Sequence, residues 1–241
     1  MEKQNIHGVS ILQSKLLSRY KKVIHGFTTK RIININQVWQ EKKIKANQVV
    51  QINQVHSTEI ARVKKINGGQ IISNTDGLLT GDSNLILSIK TADCLPILLY
   101  NPRIDIVIAL HAGWRGIVDG FIIKAIDKMK DSGCQPADII MAIGPHIGGC
   151  CFEVGKDVAK KFSNRFGNDP FMVFTIAQHI FIDLAYCASM QALHTGLKKE
   201  HIDAMINCTY CQKNIFYSYR RGKKYLRGHI DSFIGIIDEK N

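Results

Sequence analysis

The chain lacks any uninterrupted apolar run near the roughly 18 residues that a membrane-crossing helix needs, so no membrane partner is expected. Its opening "MEKQNIHGVSILQSKLLSRY" has no apolar core followed by a small-residue cleavage site, which predicts a cytoplasmic rather than an exported protein. Prolines are few, 5 in 241 residues, and no Ser-rich linker or internal repeat interrupts the composition; one domain over 1–241 is expected. No Gly-x-Ser-x-Gly elbow, no P-loop ending and no dinucleotide fingerprint occur, which removes the usual signatures of serine hydrolases, NTPases and nicotinamide enzymes. The 9 histidines contain no His-x-His pair, the common grip of multicopper oxidases. Acidic residues are scarce, 20 against 32 Lys and Arg, leaving a net charge of +12. That excess sits in short runs, "RVKK" (62–65), "LKKEH" (197–201) and "RRGKKYLR" (220–227), with no nucleic-acid-binding motif beside them. A solvated basic surface is the simpler reading, and no nucleic-acid partner is expected.

What is present is ordinary for a globular protein: 45% hydrophobic and 22% charged residues, enough to bury a sizeable core. The cysteines number 7, an odd count without the density of a disulfide scaffold, so reduced thiols are expected. Strands rich in Ile, Val and Phe are predicted at 22–29, 59–64, 76–80, 84–90, 95–100, 105–112, 138–144, 179–183, 215–220 and 233–237. Three helices are predicted: "GIVDGFIIKAIDKMKDSG" stopping at Gly133, "FEVGKDVAKKFSNRFG" stopping at Gly167, and "DLAYCASMQALHTGLK" with Asp183 as its N-cap. Interleaved strands and helices predict an α/β (α+β) domain with a large mixed sheet.

On that map Cys94 closes the loop after "NLILSIK" and His111 ends "DIVIALHA", so two neighbouring strand ends can present both into one crevice. His56, in "NQVHS", has polar neighbours, unlike a core histidine. A Cys/His/His trio with a free fourth position has the pattern of catalytic zinc, whereas structural zinc is closed by four protein ligands. A buried thiol and two hydrogen-bonded imidazoles is the alternative, and the spacings do not choose. Arg115, in "HAGWRG", stands at a predicted helix start, a place suited to anions. Asp93 beside Cys94 is a candidate for orienting a ligand or proton, and Gln54 for contacting substrate or a ligand. "CTYC" (208–211) has half of a zinc-knuckle spacing but no second pair, and adjacent Cys150 and Cys151 look awkward as ligands of one ion.

The segments "NQVHS", "DGLLT", "TADCLPILL", "HAGWRG", "IGPHIGGCCFEVG", "NCTYC" and "FYSYRR" occur in this order in the laccase-domain family, also called polyphenol oxidases and purine nucleoside phosphorylases. The chain resembles that family from "HGFTT" (25–29) to its end. The resemblance implies large mixed β-sheets layered between helices, similar to a bacterial cytotoxic-factor cysteine deamidase. It implies zinc held by His56, Cys94 and His111, with copper uptake possible in vitro. The implied activity is phosphorolysis of adenosine, inosine, guanosine and methylthioadenosine, with adenosine deamination alongside; purine nucleoside and phosphate are the implied partners. Polyphenol oxidation, peptidoglycan editing and a cysteine hydrolase using Cys94 and His111 are the alternatives. Two departures from the family pattern, a missing Gly-Gly-x-Ser loop after "HGFTT" and "YLRGHIDSFIG" near the end, are expected to change the substrate mouth.

Overall fold

A computed structural model describes residues 2–6, 9–31, 34–222 and 228–238. In chain order its strands are β1 (Glu2–Ile6), β2 (Val9–Gln13), β3 (Val23–Phe27), β4 (Val49–Ile52), β5 (Ile60–Arg62), β6 (Ile71–Ile72), β7 (Gly77–Thr80), β8 (Leu85–Thr91), β9 (Leu95–Asn101), β10 (Ile106–Ala112), β11 (Ile140–Ile143), β12 (Glu153–Val154), β13 (Val173–Ile176), β14 (His179–Ile182), β15 (Ile202–Ala204) and β16 (Ile230–Ile236). The helices are α1 (Asn36–Glu41), α2 (Trp114–Val118), α3 (Phe121–Lys130), α4 (Lys156–Phe166), α5 (Leu184–His194) and α6 (Tyr219–Gly222).

The fold is mixed α/β, as expected, with large mixed sheets. A seven-stranded sheet runs β1-β2-β3-β16-β8-β4-β6, a six-stranded sheet runs β15-β11-β9-β10-β7-β5, and β12-β14-β13 form a small third sheet. Alternation within β9 shows how the layers stack. Leu98 and Tyr100 face Leu87, Ile89 and Ile234 of the seven-stranded sheet. Ile97 and Leu99 point the other way, onto Phe121, Ile122 and Ile126 of α3 and Ala188 of α5. A strand covered on both faces needs apolar residues at every position, which is why "LPILLY" reads as an unbroken run. Each such Leu or Ile contributes about 1.5–3 kcal/mol on burial. Across the seven-stranded sheet, Val38 and Trp39 of α1 cover Ile24, Ile86 and Phe233. The order helix, sheet, sheet, helix is therefore written into side-chain alternation. Among the described residues, no helix is long and apolar enough to cross a membrane.

Two expectations are corrected. The helix predicted from residue 116 to Gly133 is divided into α2 and α3, because Gly120 takes a left-handed conformation at φ 77° that L side chains rarely adopt. The strand predicted at 215–220 is irregular chain leading into α6. Its alternating aromatics carry strand propensity, but tertiary hydrogen bonds claim the backbone: the Arg221 guanidinium donates to the carbonyls of Thr209, Tyr210 and Phe216. Asp183 does cap α5, its carboxylate accepting from the Tyr186 N–H at 2.9 Å.

Candidate metal centre

Strand register collects the candidate residues at one edge of the six-stranded sheet. β9 and β10 are antiparallel, pairing Leu95 with Ala112 and Pro96 with His111. Cys94 thus precedes the start of β9 at the edge where β10 ends, one residue after His111. β7 pairs Gly77 with Leu110, which places Asp76 beside His111. β5 lies parallel to β7 with Ile60 opposite Gly77, so the turn before β5 delivers His56 to the same edge. The sequence suggested that the strand finishing before Cys94 is a neighbour of β10; that strand, β8, lies in the seven-stranded sheet, and Cys94 reaches His111 by leading into β9.

The ligand atoms of His56, Cys94 and His111 lie within 4.8 Å of one another. The two imidazoles meet edge to face, with centroids 4.8 Å apart. Burial is graded: His111 is buried, Cys94 half-buried and His56 exposed, so the trio has a closed back and an open front. Donor type, spacing and the open face fit a three-ligand zinc site, with nitrogen, nitrogen and thiolate sulfur as donors.

Asp76, which sequence reasoning passed over, assembles this site. Its fully buried carboxylate accepts from the His111 Nδ1–H at 2.7 Å, leaving Nε2 as the ring atom that pairs with Cys94. The same group accepts from the backbone N–H of Val55, His56 and Ser57 and from the Ser57 hydroxyl. Those bonds hold His56 at φ 59°, a conformation that costs a non-glycine residue on the order of 1 kcal/mol or more. One carboxylate therefore fixes the ring of one candidate ligand and the backbone of another. Burial opposes the charge on Asp76, but the His111 and Ser57 hydrogen bonds bring its pKa down to about 2. Burial also opposes the Cys94 thiolate, yet hydrogen bonds from His111 and His56 hold its pKa near 7. For His111, burial favours the neutral ring and is outweighed by Asp76 and Cys94, giving about 9. Gly113 closes the back, since a Cβ there would lie 3.1 Å from the His56 ring and 3.4 Å from the Cys94 sulfur.

The trio opens onto a cavity of about 760 Å³, whose lining also includes Arg115, Phe152, Tyr219 and Arg220. Arg115 lies over the Trp114 ring, 4.5 Å from its centroid, and Arg220 lies 5.4 Å from that of Phe152. Gln54 and Asp93 line the cavity too, but their polar groups are engaged elsewhere. The Gln54 amide exchanges two hydrogen bonds with the Lys90 backbone. The Asp93 carboxylate accepts from the Thr209 and Ser218 hydroxyls and the Arg220 N–H, so the orienting role expected of it falls to Asp76. Among the described residues of 30–50, none lines the cavity, so that departure from the family pattern does not reshape the mouth through them. Residues 225–227 of the second departure lie outside the described residues; His229 lines the cavity.

A strand-edge Cys/His/His cluster backed by a carboxylate and facing a roomy cavity defines a candidate metalloenzyme centre. The sequence model of the multi-copper polyphenol oxidoreductase laccase family matches residues 29–237, and the chain belongs to that family. A purine nucleoside phosphorylase of Clostridium acetobutylicum is 34% identical over 161 residues, 66% of each chain. The purine nucleoside phosphorylase YlmD of Geobacillus stearothermophilus is 32% identical over 181 residues, covering 72% of this chain and 65% of that one. The matched region thus spans just under two thirds of these relatives' length. Among solved structures, the Bacillus licheniformis hypothetical protein YfiH superposes with a TM-score of 0.85 at 27% identity, covering 95% of this chain and 96% of that one. YlmD from Geobacillus stearothermophilus gives a TM-score of 0.89 at 24% identity over 98% of both chains, a likeness of fold.

Proposed function

We propose that the chain is a zinc-dependent purine nucleoside phosphorylase that also deaminates adenosine. The observation that carries this reading is the three-ligand cluster in the wall of a cavity large enough for a small-molecule substrate. The names of its relatives supply the substrate class. His56, Cys94 and His111 would hold the metal, and Asp76 keeps the two histidines in place. When bound, zinc supplies Lewis acidity and lowers the pKa of a coordinated water toward 7. The remaining work falls to the chain's own side chains. Arg115, over the Trp114 ring, meets the phosphate co-substrate, and guanidinium–phosphate pairing is strong because both partners are charged and the guanidinium fork can donate two N–H bonds to two phosphate oxygens. Tyr219, exposed at the cavity wall, offers a ring against which a purine can stack. In phosphorolysis the phosphate oxygen replaces the base at the sugar carbon; in deamination water replaces the exocyclic amine of adenosine.

Metal-characterised protein incubated with adenosine tests this. Adenine that forms only with phosphate, plus inosine in both conditions, is the expected outcome. No turnover of adenosine, inosine or guanosine at full zinc loading removes the proposal. A second reading, hydrolysis by a Cys94 nucleophile with His111 as base, is favoured by their direct pairing. It predicts a metal-free active protein that a thiol alkylator inactivates. Copper-cluster oxidation fits less well, because this donor set offers two imidazoles and one thiol to a single ion.

A further inference from the structure

Four of the remaining cysteines meet in one place. The sulfurs of Cys150, Cys151, Cys208 and Cys211 all lie within 4.8 Å of one another. Cys151 is 3.6 Å from Cys150 and 3.3 Å from Cys211, and Cys150 is 3.8 Å from Cys211. All four are free thiols. A tetrahedral ion with metal–sulfur bonds of about 2.3 Å sets its sulfurs about 3.8 Å apart, close to what is seen. The vicinal pair, which looked awkward in the sequence, sits on a turn in which the N–H groups of both Cys151 and Phe152 donate to the Gly148 carbonyl. That turn aims both sulfurs at "CTYC", which supplies the second pair. The topology explains the meeting. β11 and β15 are parallel neighbours, Ile143 opposite Ala204, so the chain after each emerges at the same edge of the sheet.

We infer that Cys150, Cys151, Cys208 and Cys211 form a second, structural metal site, taking a thiophilic divalent cation such as Zn²⁺. Binding breaks four S–H bonds, forms four metal–sulfur bonds and releases four protons to solvent, with no change of oxidation state. The surroundings suit the negative charge such a cluster carries. The Gly148 N–H donates to the Cys208 sulfur at 3.3 Å, and the Arg221 guanidinium grips the carbonyls of Thr209 and Tyr210 between the two "CTYC" cysteines. With four ligands and no open position, the site's role is to hold rather than to react. What it holds is the wall of the cavity. The first loop continues from Cys151 into Phe152 and Glu153, the second runs from Cys211 to Tyr219 and Arg220, and all four of these residues line the cavity. The Arg220 guanidinium donates to the Glu153 carbonyl across the same seam. None of this depends on which reaction the cavity performs.

The test uses the full chain with His56→Ala and Cys94→Ala, which removes two ligands of the other cluster. After reduction and dialysis against Zn²⁺, about one zinc per chain is expected to remain bound. Adding Cys208→Ser and Cys211→Ser lowers that roughly ten-fold or more. Should the second variant fail to fold, Co²⁺ loaded into the first decides alone, through the thiolate-to-cobalt absorption of a tetrahedral all-sulfur site. Zinc that shields these four thiols from alkylation supports the assignment. A His56→Ala/Cys94→Ala chain that retains no zinc, a cobalt spectrum without thiolate charge transfer, or thiols alkylated equally fast with and without zinc overturns it.

Discussion

Two clusters share one edge of the six-stranded sheet and differ in almost every physical respect. His56, Cys94 and His111 come from three separate strand ends, are backed by a buried carboxylate and leave one side open. Cys150, Cys151, Cys208 and Cys211 come from two loops, are approached by an N–H and a guanidinium, and already make a complete ligand set. An incomplete set with mixed donors suits chemistry; a complete thiolate set suits scaffolding. Asp93 connects them, being adjacent in chain to Cys94 and hydrogen-bonded to Thr209 within the "CTYC" turn. The two clusters are thus one neighbourhood with a division of labour, and their different roles can be separated by experiment.

The largest effect is expected from Cys94→Ala. Adenosine phosphorolysis falls by about 10³-fold, roughly 4 kcal/mol of transition-state stabilisation, while the melting temperature stays close to that of the parent. Steady-state rates and a thermal melt check both halves. A Cys94→Ala protein that keeps its rate would place the reaction elsewhere. Next in size is an acid effect that belongs to neither cluster. His25 is buried in β3, its Nε2 accepts from the Ser14 N–H, and burial lowers its pKa to about 4. The unfolded chain, with a histidine pKa near 6.5, takes up a proton first as pH falls. The stability this neutral ring contributes is therefore complete above about pH 6.5 and is lost between there and pH 4, by roughly 3 kcal/mol. Denaturant titrations across that range, on protein stripped of metal, should show the fall. A chain without metal that is equally stable at pH 7 and pH 4.5 would refute it, and any further acid loss in loaded protein then belongs to metal release. Asp76→Asn follows. The amide keeps the shape but cannot accept from His111 and three backbone N–H groups as a carboxylate does, so metal affinity at the trio drops 10- to 100-fold. Zinc retention at the four cysteines is expected to be unchanged, and competition with a chelator reads both sites at once. Equal loss at both would merge the two regions into one.

Much of this arrangement is legible in residue types, and the rest is hidden for identifiable reasons. β9 and β10 announce themselves because burial on both faces demands an unbroken apolar run. β12 and β15 are two and three residues long, carry one acidic residue each, and take their place only through their partners. The trio can be named from its donor chemistry and its order along the chain. Asp76 is harder, though it stands in front of the wholly buried strand β7: its partners lie 19 to 35 residues away, and only the β7–β10 register brings His111 to it. The four-cysteine cluster is hidden most completely. Its halves are about 60 residues apart in sequence and are joined by a parallel strand pair with no local signature. Adjacent cysteines look like poor co-ligands until the turn at Gly148 is seen. Local propensity also misreads 215–220, where the hydrogen bonds of Ser218 and Arg221 outweigh the preference of alternating aromatics for a strand.

The smallest predicted effect concerns Arg115, and it separates binding from chemistry within the open cluster. Its guanidinium is exposed at the cavity wall and kept in place by the Trp114 ring, so water screens part of its attraction for phosphate. Arg115→Ala should raise the KM for phosphate by about ten-fold, near 1.4 kcal/mol, with little change in kcat at saturation. Adenosine deamination needs no phosphate and should keep its rate. Arg115→Lys retains the charge but not the guanidinium's two-pronged donation to phosphate, so it should recover only part of the loss. Unchanged phosphate dependence in Arg115→Ala would move the anion site to another cation of the wall, and Arg220 is the one whose side chain reaches across the seam between the two cysteine loops. In that case phosphate affinity would follow zinc loading at the four cysteines, and the scaffold would act directly on substrate binding.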